Sequence, residues 1–69
     1  MESVTTVHVN VLPDGRLAAK EAAKYLGLSE KTLAQMRSQG RGPRYVKRAG
    51  RVFYRIEDLR EWIENGDAA

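Results

Sequence analysis

The chain has no cysteine, a single histidine and no apolar run approaching the length of a membrane span. Without cysteine there is neither a disulfide framework nor a cysteine-zinc site, and an intracellular, reducing setting is the natural inference. His8 has no metal-ligand partner near it, so its role reads as structural or simply exposed rather than catalytic. The first residues lack the basic start and apolar centre of a signal peptide, which points to a soluble cytoplasmic protein. Internal repeats and low-complexity segments are also missing. At 69 residues the chain makes one domain at most, near the lower size limit for an unstapled core. Three short helices and a hairpin fit; an enclosed catalytic cleft does not.

Acidic residues are scarce in one place. Between Lys31 and Arg55 there is none, while Lys31, Arg37, Arg41, Arg44, Lys47, Arg48, Arg51 and Arg55 all fall there, eight of the chain's 12 bases. That segment carries +8, and the remainder, with four bases against nine acids, carries −5. The net charge of +3 therefore conceals a polarised molecule. A charge run usually marks a solvated face. Here, however, the bases fall on a short helix and a hairpin, two elements that pair in one kind of DNA reader, and each base brought near a phosphate releases condensed counterions.

The short helix starts at Leu28-Ser29-Glu30-Lys31: Ser29 is a good N-cap, and Glu30 places negative charge in the first turn, where the helix dipole favours it. It is expected to run to about Gln39 and end at Gly40. At about 100° per residue Leu33 and Met36 share one side, whereas Lys31, Ala34, Gln35 and Ser38 point the other way. Such a face is polar, small and compact enough for a major groove, where Gln can serve adenine and Lys or Arg guanine. The hairpin is expected from Arg44-Tyr45-Val46-Lys47-Arg48 and Arg51-Val52-Phe53-Tyr54-Arg55, flanking Ala49-Gly50. Because the turn is not Asn-Gly, a slightly longer loop is expected, with Gly50 at positive φ. Arg48 and Arg51 then sit at the tip, where basic residues either meet a duplex or merely discourage edge pairing.

Ahead of these elements, Val7, Val9 and Val11 alternate with polar residues as in a half-buried strand, and Pro13-Asp14-Gly15 supplies a turn. The segment is expected to be ordered from about Val7, as an edge strand beside the hairpin or a frayed arm. Leu17 to Leu26 reads as the first core helix, uncapped at Ala18-Ala19, with Ala22, Ala23 and Leu26 buried and Gly27 ending it. A three-residue, Gly-containing turn then leads into the next helix, which is helix-turn-helix spacing. The last helix runs from Ile56 to Glu64. Ile56, Leu59, Trp62 and Ile63 form its apolar stripe, Glu57, Asp58, Glu61 and Glu64 face water, and Trp62 is the expected core anchor. Its alternative is a docking stripe for a partner. Domain limits follow: residues 1–16 an N-terminal strand or flexible arm, 17–65 the DNA-binding domain, 66–69 a disordered tail.

The run Leu17-Ala18-Ala19-Lys20-Glu21-Ala22-Ala23-Lys24-Tyr25-Leu26-Gly27-Leu28-Ser29 is followed by Thr32-Leu33, Gly40-Arg41-Gly42-Pro43, Tyr45-Val46-Lys47, Gly50-Arg51-Val52, Tyr54 and Asp58-Leu59 with Trp62. Together these resemble the MerR-like winged helix-turn-helix domains of the excisionase and AlpA type. The resemblance spans about residues 17–64 and implies an α+β, mainly helical fold: three helices with a β-hairpin wing, and room for an extra N-terminal strand. It implies that the helix after Leu28-Ser29 enters the major groove and that the hairpin is a wing on the adjacent backbone or minor groove. By position, Ser29, Lys31, Thr32, Gln35 and Ser38 belong to the recognition helix, Arg37, Arg41 and Arg44 are phosphate clamps, and Lys47, Arg48 and Arg51 are wing contacts. Met36 stands where the family commonly has Trp, and Met1–Arg16 lies outside the pattern.

Family members are phage or mobile-element excisionases that bend DNA to help an integrase, or small transcriptional regulators. The implied partners are thus double-stranded DNA, an integrase or recombinase, and further copies associating cooperatively on DNA in the nucleoid; no membrane or small-molecule ligand is implied. No cofactor or metal is expected, and no paired carboxylates or His/Asp/Ser set converges on the basic segment, so no catalytic residue is assigned.

Overall fold

The structure, a computed structural model, describes residues 8–65. Its elements in order are β1 (Arg16–Ala18), α1 (Ala19–Leu26), α2 (Glu30–Ser38), β2 (Val46–Arg48), β3 (Arg51–Arg55) and α3 (Ile56–Asn65). The strands form one antiparallel sheet in the order β1-β3-β2, so the longest strand is central. Three helices with a three-stranded sheet make the small α+β winged helix-turn-helix expected from the sequence.

Helix termini set the geometry of the first two helices. Ala18 precedes α1 without a side-chain cap. At the other end Gly27 takes φ 75°, its N–H donates to the Lys24 carbonyl (3.1 Å) and the Leu28 N–H to the Ala23 carbonyl (2.9 Å). That pair of bonds closes the helix and turns the chain sharply, in a conformation that only glycine adopts without cost. The same device ends α2, where Gly40 donates to Arg37 (3.1 Å) and Arg41 to Met36 (2.7 Å). Only Gly27, Leu28 and Ser29 lie between the helices. Ala22 and Ala23 are buried at their crossing, and such small side chains let the helices approach closely.

The core gathers Leu17 from β1, Ala22 and Ala23 from α1, Leu33 from α2, Tyr54 from β3 and Leu59 from α3. Val9, Leu26, Leu28, Val52 and Ile56 pack around it, half-buried. Side chains alternate across strands, so the buried Leu17 and its cross-strand partner Tyr54 mark the sheet's inner face. Arg16, Ala18, Arg51, Phe53 and Arg55 therefore share the outer face, joined by Val46 and Arg48 of β2.

Four sequence expectations are corrected. The extra N-terminal strand is Arg16–Ala18; of the alternating segment expected there, residues 8–12 are irregular, and Leu12 instead bonds across a tight turn to Arg16 (2.7 Å). Helical propensity at Leu17 and Ala18 yields to pairing with Tyr54 and Phe53. The hairpin loop is no longer than two residues: Arg48 pairs directly with Arg51, and Ala49 (φ 52°) joins Gly50 (φ 76°) at positive φ. The type I′ geometry that suits strand twist thus prevails over alanine's aversion to it. The first hairpin strand is shorter than expected, beginning at Val46.

Finally, Trp62 is half-buried and outside the core cluster, beside Gly42 and Pro43 at a cavity of about 260 Å³, and Ile63 is 50% exposed. Leu59 and Tyr54 are the buried anchors in their place. The expected order from Val7, disorder before it and the tail at 66–69 lie outside the described residues.

Candidate nucleic-acid interface

Ser29 starts α2 as the sequence leads one to expect. Its Oγ accepts from the Thr32 N–H (3.0 Å) and donates to Thr32 Oγ1 (2.8 Å). Cap and first-turn side chains thereby hold each other, and Glu30 adds favourable charge to the helix start. Leu33 and Met36 are buried, which turns Lys31, Gln35 and Ser38 to solvent. Ala34, expected on that outer side, is half-buried. Ser38 Oγ donates to the Gln35 carbonyl (3.2 Å), leaving the Gln35 amide and the Lys31 ammonium without a side-chain partner among the described residues.

Arg37 has a different setting from the other bases. Its guanidinium donates a long hydrogen bond to the Tyr54 hydroxyl (3.5 Å) and lies 5.8 Å from the centre of the Tyr45 ring. The two tyrosine rings are themselves 6.3 Å apart and tilted by 52°. Arg37 is consequently half-buried between α2 and the hairpin, tying the helix to β3 while part of its charge still reaches solvent. Sequence reasoning missed the roles of Tyr45 and Tyr54. The contact joins residues 17 apart, and no local spacing announces it.

Arg41 and Arg44 are exposed in the loop that leads from α2 into the wing. Gly42 in that loop has φ 88°, and a Cβ there would touch Met36 (3.4 Å). Met36 is buried, and the loop passes close over it. On the wing, Lys47, Arg48 and Arg51 are all exposed. The sheet register divides them: Arg48 and Arg51 face each other on the outer side, whereas Lys47 pairs with Val52 on the inner side. Arg48 also bends back to donate to the Lys47 carbonyl (3.2 Å).

Charge isolation is the common property of this set. Among the described residues the ion pairs are Arg16 with Asp14 (2.6 Å) and Lys24 with Glu21 (3.7 Å). None of the eight bases from Lys31 to Arg55 has a carboxylate within reach among those residues. Unpaired cations on exposed stems keep their full attraction for an external polyanion. Asp14 is held close by Arg16. Desolvation works to raise its pKa, but hydrogen bonds from the Arg16 backbone and guanidinium, with the guanidinium's charge, bring it below the ordinary carboxylate value. Among the described residues no three His, Cys, Asp or Glu side chains gather as a metal site, and no helix is long and apolar enough to cross a membrane.

Residues 16–67 match a family model described as a helix-turn-helix domain. No curated protein matches the chain.

Proposed function

The chain belongs to this helix-turn-helix domain family, an architecture that supports sequence-specific DNA binding, and we propose that residues 17–65 read a duplex with α2 in the major groove and the β2–β3 hairpin as a wing. One observation carries this reading: α2 offers Lys31 and Gln35 to solvent with no ion pair to Lys31 among the described residues, next to a ribbon whose bases are equally unpaired there. Lys31, Thr32, Gln35 and Ser38 face base edges, with Ser29 fixing the helix start. Arg41, Arg44, Lys47, Arg48 and Arg51 hold phosphates, and Arg37 contributes charge from its tyrosine seat. The protein acts by binding and not by catalysis.

The finer role is that of a MerR-like excisionase which bends DNA in the nucleoid so that an integrase can assemble, with copies associating on adjacent sites. The motif order from Leu17 to Trp62 supports it. The alternative within the family is a small AlpA-like transcriptional regulator. Selection of preferred sites from random duplexes, followed by a bending assay, tests the proposal. Gln35→Ala should narrow the gap between preferred and random sites by about 1–3 kcal/mol, the value of a bidentate base contact. Arg48→Ala with Arg51→Ala should weaken both equally and flatten the salt dependence. An unchanged preference in the Gln35 variant would remove Gln35 from the reading set, and an unbent preferred site would point to the regulator.

A further inference from the structure

The outer face of the sheet is not used by the core, and α2 comes near it only at the Arg51–Phe53 end, where Glu30 lines a shared cavity. The composition of the face follows from the register: Arg16 stands opposite Arg55, Ala18 and Val46 flank Phe53, and Arg48 stands opposite Arg51. Four arginines therefore share one face around a half-buried aromatic. The Arg16 guanidinium confirms the direction, lying 4.7 Å from the centre of the Phe53 ring. Like charges placed directly across a strand pair are destabilising, and this sheet has two such pairs in three strands. Arg55 is exposed, and no hydrogen bond or ion pair engages its side chain among the described residues. An anion placed over the face would relieve both repulsions.

We infer that this arginine face binds a length of duplex phosphate backbone running along β3 from the wing tip to its base, beyond the tip contacts of Arg48 and Arg51. The geometry suits a linear polyanion. From Arg51 to Arg55 the strand advances about 14 Å at 3.4 Å per residue, long enough to follow more than one phosphate of a single DNA strand. Phe53 gives the face an apolar centre and seats Arg16, while Asp14, bonded to Arg16 at 2.6 Å, competes with phosphate for it. Arg16 and Arg55 are thus additional DNA contacts, placed at the wing's root. This inference rests on the reading of the chain as a duplex binder.

The test measures association with random-sequence duplex across a range of salt for the full chain and for Arg55→Gln. The slope of log K against log salt should fall by about 0.9 for the one phosphate contact removed, with the preferred-to-random ratio unchanged and the melting temperature of the free protein unchanged or raised. Asp14→Asn, which keeps the oxygen that accepts from the Arg16 backbone, should increase affinity by releasing Arg16. Slope loss only on duplexes longer than the groove contact places the same duplex on the face; equal loss on the shortest duplex places a second one there. An unaltered slope in Arg55→Gln, with the unaltered protein still binding duplex, overturns the arginine face alone. Failure of the unaltered protein to bind any duplex overturns both readings.

Discussion

Truncating Leu59 should damage the fold more than truncating Trp62, although tryptophan is much the larger side chain. Leu59 is fully buried in the cluster with Leu17, Leu33 and Tyr54, where α3 packs on α1 and β3, so its loss leaves a cavity inside the core. Such Leu→Ala changes cost about 2–5 kcal/mol, toward the upper end where surrounding helices and strands cannot collapse. Trp62 is half-buried and lines a cavity with Gly42 and Pro43, and half of the about 3–5 kcal/mol typical of a buried aromatic is roughly 2 kcal/mol. The 58 described residues would have a total stability of roughly 3–9 kcal/mol. Leu59→Ala therefore removes most of the folding free energy, while Trp62→Ala leaves a folded, duplex-competent protein. Urea titration followed by circular dichroism measures both. A Trp62 variant as unstable as the Leu59 variant, or more so, would refute the assignment of the core.

Two further outcomes follow from particular contacts. Ala49→Gly should stabilise the wing by about 0.5–1 kcal/mol, because Ala49 holds φ 52° where glycine carries no Cβ penalty and its extra chain entropy only partly offsets the gain; a lower melting temperature would contradict the turn geometry. Arg37→Ala should cost about 1–2 kcal/mol by breaking its bond to the buried Tyr54 hydroxyl and its seat on Tyr45. Because either change removes the same hydrogen bond, Tyr54→Phe combined with Arg37→Ala should cost less than the two changes added, and strict additivity in the melting curves would exclude the coupling.

Local chemistry made most of the helical framework legible. Ser29 announced the start of α2, and Gly27 and Gly40 announced the ends of α1 and α2, since each signal acts within a turn of its own residue. The buried pair Leu33 and Met36 also followed from helical spacing, and with it the solvent-facing Lys31, Gln35 and Ser38. What the sequence hid depends on distant partners. Leu17 and Ala18 have helical neighbours and join the sheet because Tyr54 and Phe53 lie opposite them. The half-burial of Trp62 reflects the cavity that it lines with Gly42 and Pro43, residues about twenty positions away in the chain. Lys47 was indistinguishable from Arg48 in a list of wing bases until the register put them on opposite faces. Arg37, read as an ordinary phosphate clamp, acquired its tyrosine partners only when α2 met the hairpin.

Titration of the isotopically labelled protein with random-sequence duplex at low ionic strength, followed by backbone amide NMR, tests the central claim most directly. The account predicts perturbed amides along Lys31–Ser38, in the Arg41–Arg44 loop and through the wing from Lys47 to Arg51, with α3 undisturbed and the perturbations reversed by added salt. Perturbations centred on α3, or none at all with the protein folded, would contradict it.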